Sequence, residues 1–389
     1  VRRTEQQAGR VRRTALAGAV ALVLGTAVVL PLTREDASTT GPTTGVDGTG
    51  PADRPSGRAA TAQPAAGRTW VGSWQAADQR GRPVDLRDRT VRMTMRTTLG
   101  GKALRVRISN TFGDRPLQVG AAAVAWHRNG PRVARQANRP LTFSGKRGVT
   151  IPPGGRLYSD PVALAVPNRA VLAVSLYLPD FQGMPTSHGT WYSSHRTSYL
   201  SRPGNHVDAA GGEEFVDTAE AWYFVDGIDV AAADPRAGAV VAFGDSITDG
   251  SGSGLDADRR YPDQLAERLA RGAQRNRTAV LNAGLAGNRI LSGDPRNVPA
   301  LSRFDRDALQ APGVRTVLIL LGTNDIGGAG ASPDQVIGGL RELVRRAHAQ
   351  RLRVLVGTVT PARGCQCGHG TAVAHQKRAE VNSWIRGTK

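Results

Sequence analysis

Three short segments carry residue types that could do acyl-transfer chemistry. Phe243-Gly244-Asp245-Ser246-Ile247-Thr248-Asp249 sets a serine directly after an apolar run. A serine hydroxyl can attack a carbonyl carbon once a base takes its proton, and Gly244 lets the chain turn closely past a substrate. Thr248 breaks the G-x-S-x-G spacing, so that nucleophile elbow is not met. In Asn282-Ala283-Gly284-Leu285-Ala286-Gly287-Asn288, two glycines three apart could free backbone N–H groups to point at an anion. In Leu321-Gly322-Thr323-Asn324-Asp325-Ile326, the Asn324 carboxamide offers a side-chain donor. Each segment alone has a plainer reading: Ser246 or Asp245 caps a helix, the glycines make an ordinary turn, and Asn324 caps a turn through its own backbone.

The elements around these segments favour the chemical reading. From about residue 236, strands alternate with helices: strands at 239–243, 278–281, 314–321 and 352–359, helices at 262–270 and 333–349, and a helix beginning at 378–385. Apolar runs joined by helices predict a parallel sheet covered on both faces. Ligands of such sheets bind at the C-terminal strand ends, where all three segments fall. Residues 68–235 instead alternate with period two. Val91, Met93 and Met95 share one face, Leu99-Gly100-Gly101-Lys102 supplies a turn, and Leu104, Val106 and Ile108 resume the alternation, which predicts a hairpin. Further strands are expected at 117–126, 140–143, 148–151 and 170–178. With no helical periodicity, an all-β sandwich or jelly roll is expected.

In order, spacing and strand-end placement, the three segments resemble the SGNH hydrolase superfamily, the GDSL-like lipases and acylhydrolases. The likeness extends over roughly residues 69–389, with Gly72-Ser73-Trp74-Gln75 and Ser109-Asn110-Thr111-Phe112-Gly113 in the β region. It is similar to secreted bacterial members that carry a β-sandwich before the catalytic domain. The resemblance implies a three-layer flavodoxin-like α/β fold and a serine esterase. Ser246 would be the nucleophile, and the amides of Ser246 and Gly287 with the Asn324 carboxamide would form the oxyanion hole. One such donor is worth about 2.7–4 kcal/mol in the transition state. No cofactor or metal is implied.

The family takes its base from a late Asp-x-x-His after a fifth strand, and the sequence holds no such element. Gln366 and Ala372 stand three positions before His369 and His375. His348 is expected to face solvent, and His127, His188, His195 and His206 belong to the β region. His188 and His195 could approach the cleft, although a structural role is the more ordinary one. The expectation is therefore a C-terminally shortened hydrolase domain at 236–389, missing its last strand and helix. It would have an exposed fourth strand and impaired turnover. The alternative is a catalytically inactive extracellular protein that binds carbohydrate or cell wall, with Trp126, Trp191, Tyr192, Trp222 and Tyr223 available to stack on sugars.

The first 67 residues place the chain. Arg2, Arg3, Arg10, Arg12 and Arg13 flank an uncharged apolar stretch from Thr14 to Thr33. Residues 1–33 read as a signal peptide or a membrane anchor, and either puts the remainder outside the cytoplasm. Residues 34–67, rich in Gly, Pro, Thr and Ala, read as a flexible linker.

The 389-residue chain carries a net charge of +19, which first suggests nucleic acid. The charge is almost all arginine, since lysine occurs only at Lys102, Lys146, Lys377 and Lys389, and it forms no long run. No nucleic-acid partner is expected; the expected partner is a small-molecule or glycan ester, with the membrane if the first segment stays uncleaved. Cys365 and Cys367 are the only cysteines. Two thiols, a bonded pair or half of a site completed elsewhere all remain open, and no disulfide framework or four-ligand zinc site can be built from them.

Overall fold

A computed structural model describes residues 70–189, 196–272 and 277–388. The signal or anchor segment, the linker, and His195, Trp191 and Tyr192 lie outside the described residues.

Residues 70–231 form mostly antiparallel strands. One sheet runs in the order Trp70–Gln75, Val225–Ala231, Leu104–Ser109, Arg156–Tyr158. The other runs Phe215–Ala219, Ser198–Pro203, Arg89–Arg96, Val171–Leu178, Ala121–Trp126, Arg139–Leu141. The alternation was correctly placed, but the hairpin is not formed. Arg89–Arg96 pairs with Val171–Leu178 and Ser198–Pro203, whereas Leu104–Ser109 pairs with Val225–Ala231 and Arg156–Tyr158. Val91, Met93 and Met95 meet Leu104, Val106 and Ile108 in one apolar core from opposite sheets. Period-two patterning specifies which face is buried and leaves the pairing partner open. Here the turn at 99–102 carries the chain across the core.

Trp222 is buried, packs edge-on against Trp74 at 5.1 Å and donates from Nε1 to the Thr94 carbonyl. Trp126 donates to the Ala165 carbonyl. Trp222 is thus a core residue, not a sugar platform.

The second region holds four parallel strands: β1 (Gly238–Gly244), β2 (Thr278–Gly284), β3 (Val314–Leu320) and β4 (Arg353–Val356). Their order is β2-β1-β3-β4, all parallel, which fits a flavodoxin-like sheet. Helices α1 (Ser246–Asp249), α2 (Tyr261–Arg271), α3 (Ala300–Phe304), α4 (Thr323–Gly327), α5 (Pro333–Ala349) and α6 (Ala372–Gly387) complete it. α5 begins at a capping box in which Ser332 and Gln335 satisfy each other's backbone N–H, with Pro333 in the first turn. Val336, Leu340, Leu343 and Ala347 make its buried stripe. Strand β4 is shorter than the 352–359 run predicted, and Leu355 on it is 44% exposed. Beyond it, the Asn382 side chain of α6 both donates to and accepts from the Val359 backbone.

The two regions belong to one compact unit, and the antiparallel one covers the edge strand β2. The Gly72 N–H donates to the Pro312 carbonyl at 2.9 Å. The Thr98 hydroxyl accepts from Val280 N–H at 3.1 Å and shares its proton between the carbonyls of Ser73 at 2.9 Å and Val280 at 3.2 Å. A row of unpaired edge groups is thereby partly closed. Replacing Thr98 with valine keeps the shape and removes the hydroxyl, leaving the Val280 N–H unpaired. The expected loss is about 1–3 kcal/mol of unfolding free energy, read by urea denaturation, with Thr98→Ser restoring most of it.

Candidate active site

The direction of strand order reverses between β1 and β3, and the crevice beyond their carboxyl ends is where such sheets bind ligands. Ser246 follows β1 as the first residue of α1. Asp245 caps that helix, its Oδ1 accepting from the Ile247 N–H at 2.9 Å. The helix-cap reading of Asp245 and the strand-end placement of Ser246 therefore hold together. Burial pushes the Asp245 carboxyl up to about 7, against the lowering effect of the Ile247 N–H.

Gly284 ends β2 and is a site of very close approach. A Cβ there would lie 2.1 Å from the Asp249 nitrogen, so only glycine lets α1 sit on the end of β2. Gly287 has φ +78°, a left-handed backbone that favours glycine. The loop between them is tied to α1 at Asp249, whose Oδ2 accepts from the Ala286 N–H at 3.1 Å. Beyond β3, Asn324 lies in α4 and donates from Nδ2 to the Asn288 carbonyl at 2.9 Å. Asp325 accepts from the N–H groups of Ile290 and Leu291 at 3.0 and 3.1 Å. Burial raises its carboxyl, and those two backbone donors oppose the shift. All three predicted segments are thus knitted together through side chain to backbone bonds. Among the described residues, the N–H groups of Ser246 and Gly287 meet no acceptor, and one of the two Nδ2 protons of Asn324 is unused.

The histidines fall as follows. His348 is exposed on α5, and His127 and His206 reach nearby carbonyls, those of Gly130 and Pro203. His375 Nδ1 meets Arg378. His369 comes to the site: its Nε2 is 3.4 Å from Asn324 Oδ1, and its ring packs against Gly327. An amide oxygen only accepts, so Nε2 carries the proton in this contact. No described histidine hydrogen-bonds Ser246. Cys365 and Cys367 are joined in a disulfide beside His369, with Cys367 Sγ 3.5 Å from its Nδ1. Of the three states open from sequence, the bonded pair is the one formed.

Sequence reasoning missed Arg303. It is buried, and its guanidinium donates to the carbonyls of Gly244 and Ala283, to Asn288 Oδ1 and to Asp307. Burial brings its pKa down to about 10, with Asp307 opposing, so it stays charged at neutral pH. Burial alone would raise the Asp307 carboxyl, but Arg306 and Arg303 hold it at about 2. Gln75, from the antiparallel region, donates to the Asp307 carbonyl at 2.6 Å. The available signal was an arginine and an aspartate at i,i+4 amid Leu301, Phe304 and Ala308, a charged pair on an apolar stretch.

A flavodoxin-like parallel sheet with Gly244-Asp245-Ser246 after its first strand and Asn324-Asp325 after its third supports a hydrolase of the SGNH class at a coarse level. Residues 242–389 match the GDSL-like lipase/acylhydrolase family, and this segment belongs to it. Among solved structures, the chain is similar to Est24, a carbohydrate acetylesterase from Sinorhizobium meliloti, at 20% identity over 38% of this chain and 78% of that one, TM-score 0.34. It is also similar to the M. smegmatis aryl esterase, at 23% identity over 38% and 79%, TM-score 0.33. A third likeness is to the acetyl xylan esterase AlAXEase, at 21% identity over 38% and 72%, TM-score 0.29. At these TM-scores the family match alone carries the assignment. No curated protein matches the chain.

Asp245 gives the site a pH signature. Its raised carboxyl contributes stability that is complete below the ordinary value of 3.8 and is lost as pH rises through about 7. Asp245→Asn keeps an oxygen for the Ile247 N–H and cannot ionise. In thermal unfolding followed across that range, the variant is expected to show a flatter decline in Tm than the wild type. Parallel curves would assign the titration elsewhere.

Proposed function

We propose that this chain is an exported serine hydrolase that cleaves the carboxylic esters of a small molecule or a glycan. Ser246 Oγ attacks the ester carbonyl and its proton passes to solvent water, since no described histidine hydrogen-bonds Ser246, which fits impaired turnover. The carbonyl oxygen becomes an oxyanion that accepts from the Ser246 and Gly287 amides and the Asn324 carboxamide. Collapse releases the alcohol and leaves an acyl group on Ser246, which water then hydrolyses. The observation that carries this reading is the donor accounting at the strand ends. In loops where Asp245, Asp249, Asp325 and Arg303 are all engaged, the N–H groups of Ser246 and Gly287 and one Nδ2 proton of Asn324 are left unused. Donors left without an internal partner are free to bind an incoming oxyanion. Export rests on the basic flank and the apolar stretch of residues 14–33. No helix of the described residues is long and apolar enough to cross a membrane.

The test is release of p-nitrophenol from p-nitrophenyl acetate by the full chain. Ser246→Ala is expected to abolish it, and Asn324→Ala to lower kcat by about 10²–10³-fold with a smaller change in KM. Hydrolysis surviving in Ser246→Ala would remove the proposal. The same assay reads out the weak turnover expected from sequence.

A further inference from the structure

His188 lies on the Thr186–Gly189 strand of the antiparallel region, buried and stacked on Trp222. Its Nδ1 is 2.6 Å from the Ala77 carbonyl and its Nε2 is 3.1 Å from Asp249 Oδ1. A carbonyl accepts and cannot donate, so Nδ1 carries a proton. A carboxylate also only accepts, so Nε2 carries one as well, and the ring meets Asp249 as an imidazolium. Asp249 is the last residue of α1, the helix that Ser246 begins. Its other oxygen, Oδ2, receives the Ala286 N–H, one residue before Gly287. One carboxylate therefore joins the serine helix to the Gly287 loop, and a ring from the antiparallel region holds that carboxylate.

We propose that His188 is a positioning residue for ester hydrolysis: by donating to Asp249 it fixes the carboxylate that aligns the Ser246 helix with the Ala286–Gly287 loop, and so sets the oxyanion donors. This rests on the Ser246–Gly287–Asn324 reading above. It gives the antiparallel region a part in catalysis that His188 performs without touching substrate.

The link depends on protonation. Burial opposes the charged ring, but Asp249 outweighs it, with the Ala77 carbonyl adding and Arg260 opposing, and His188 is held above the ordinary histidine value. Asp249 in turn lies within electrostatic reach of Arg303 and Asp245. As pH rises through the raised value, the ring gives up one of its two protons and its positive charge, and its hold on the Asp249 carboxylate weakens. Below it the donor is intact. The alignment, and kcat with it, is therefore expected to fall on the alkaline side.

The experiment compares full-chain wild type, His188→Ala, His188→Gln and Ser246→Ala in p-nitrophenyl acetate hydrolysis across pH, with circular dichroism melts on each. His188→Ala is expected to lower kcat by about a hundredfold, the scale of a small misplacement of reacting groups, with KM less affected. His188→Gln offers an N–H donor that does not ionise. It is expected to recover most of kcat and to lack the His188-dependent part of the alkaline fall. Wild-type kcat in His188→Ala would overturn the inference. So would a glutamine variant as impaired as alanine while melting like the wild type, or one that keeps the full wild-type pH profile. Activity surviving in Ser246→Ala would instead overturn the reading of the site on which the inference rests, and the inference with it.

Discussion

The arrangement at the strand ends depends on one buried cation. Arg303 sends its guanidinium under the loops that follow β1 and β2 and donates to the Gly244 and Ala283 carbonyls and to Asn288 Oδ1. Gly244 and Ala283 lie at the carboxyl ends of β1 and β2, and the Gly244 carbonyl also accepts from the Leu285 N–H, so the guanidinium ties the last ladder residues to the loop that carries Asn288. A neutral side chain of similar size could not satisfy them together, whereas the five N–H donors of an arginine can. The charge would be costly to bury alone. Asp307, one helical turn on, neutralises it, and Arg306 beside Asp307 adds a second cation that keeps that carboxylate ionised. Removing one partner of such a cluster leaves an uncompensated buried charge, a more damaging change than replacing the whole by apolar groups.

The antiparallel region is built into this arrangement and is more than an appendage. Gln75 holds the Asp307 backbone, Thr98 closes part of the open edge of β2, and His188 reaches Asp249. Each contact comes from a different strand or turn and ends on a different part of the parallel-sheet region: the Asp307 backbone, the edge of β2, and Asp249 at the end of α1. A parallel sheet with an open edge invites pairing with another chain. Here the strand that would be vulnerable on one side is covered by the same surface that braces the site.

Much of the fold was legible because its elements carry strong local signals. α5 was legible at 333–349 from its apolar stripe, Val336 to Ala347, and the structure returns the same limits, with the Ser332–Gln335 capping box fixing its start. α6 starts earlier than periodicity indicated, because Thr371 caps it by accepting from the Ala374 N–H ahead of the apolar stripe. The strand at 89–96 was placed correctly and its partner was not, since alternation is indifferent to which strand lies alongside. Of the site, the motif residues Ser246, Gly287 and Asn324 were legible as types at strand ends. Arg303 was not, and His188 was legible only as a histidine that could approach the cleft: their importance comes from what they touch across roughly sixty residues of sequence, between Arg303 and Gly244 and between His188 and Asp249. No local pattern encodes such a contact. Of the short helices, α1 was announced only by its Asp245 cap, and α4, a single turn after Gly322 with no side-chain cap, gave no signal.

The electrostatics of the proposed oxyanion site raise a problem that the structure resolves three ways. Three acidic residues, Asp245, Asp249 and Asp325, sit in the loops that would receive a developing negative charge. As bare carboxylates they would oppose it, and strongly so in a partly desolvated crevice. Asp245 is buried enough to stay largely protonated toward neutral pH, so it caps its helix without a full charge. Asp249 is matched by the His188 ring, which places a cation directly against it. Asp325 is turned onto the Ile290 and Leu291 N–H groups, whose dipoles face its charge. Protonation, ion pairing and backbone solvation thus each quiet one carboxyl while keeping its oxygens available to brace a loop. Acidic side chains can serve as struts in an anion-binding crevice on that condition, and the condition ties the fold of both regions to the chemistry proposed for Ser246.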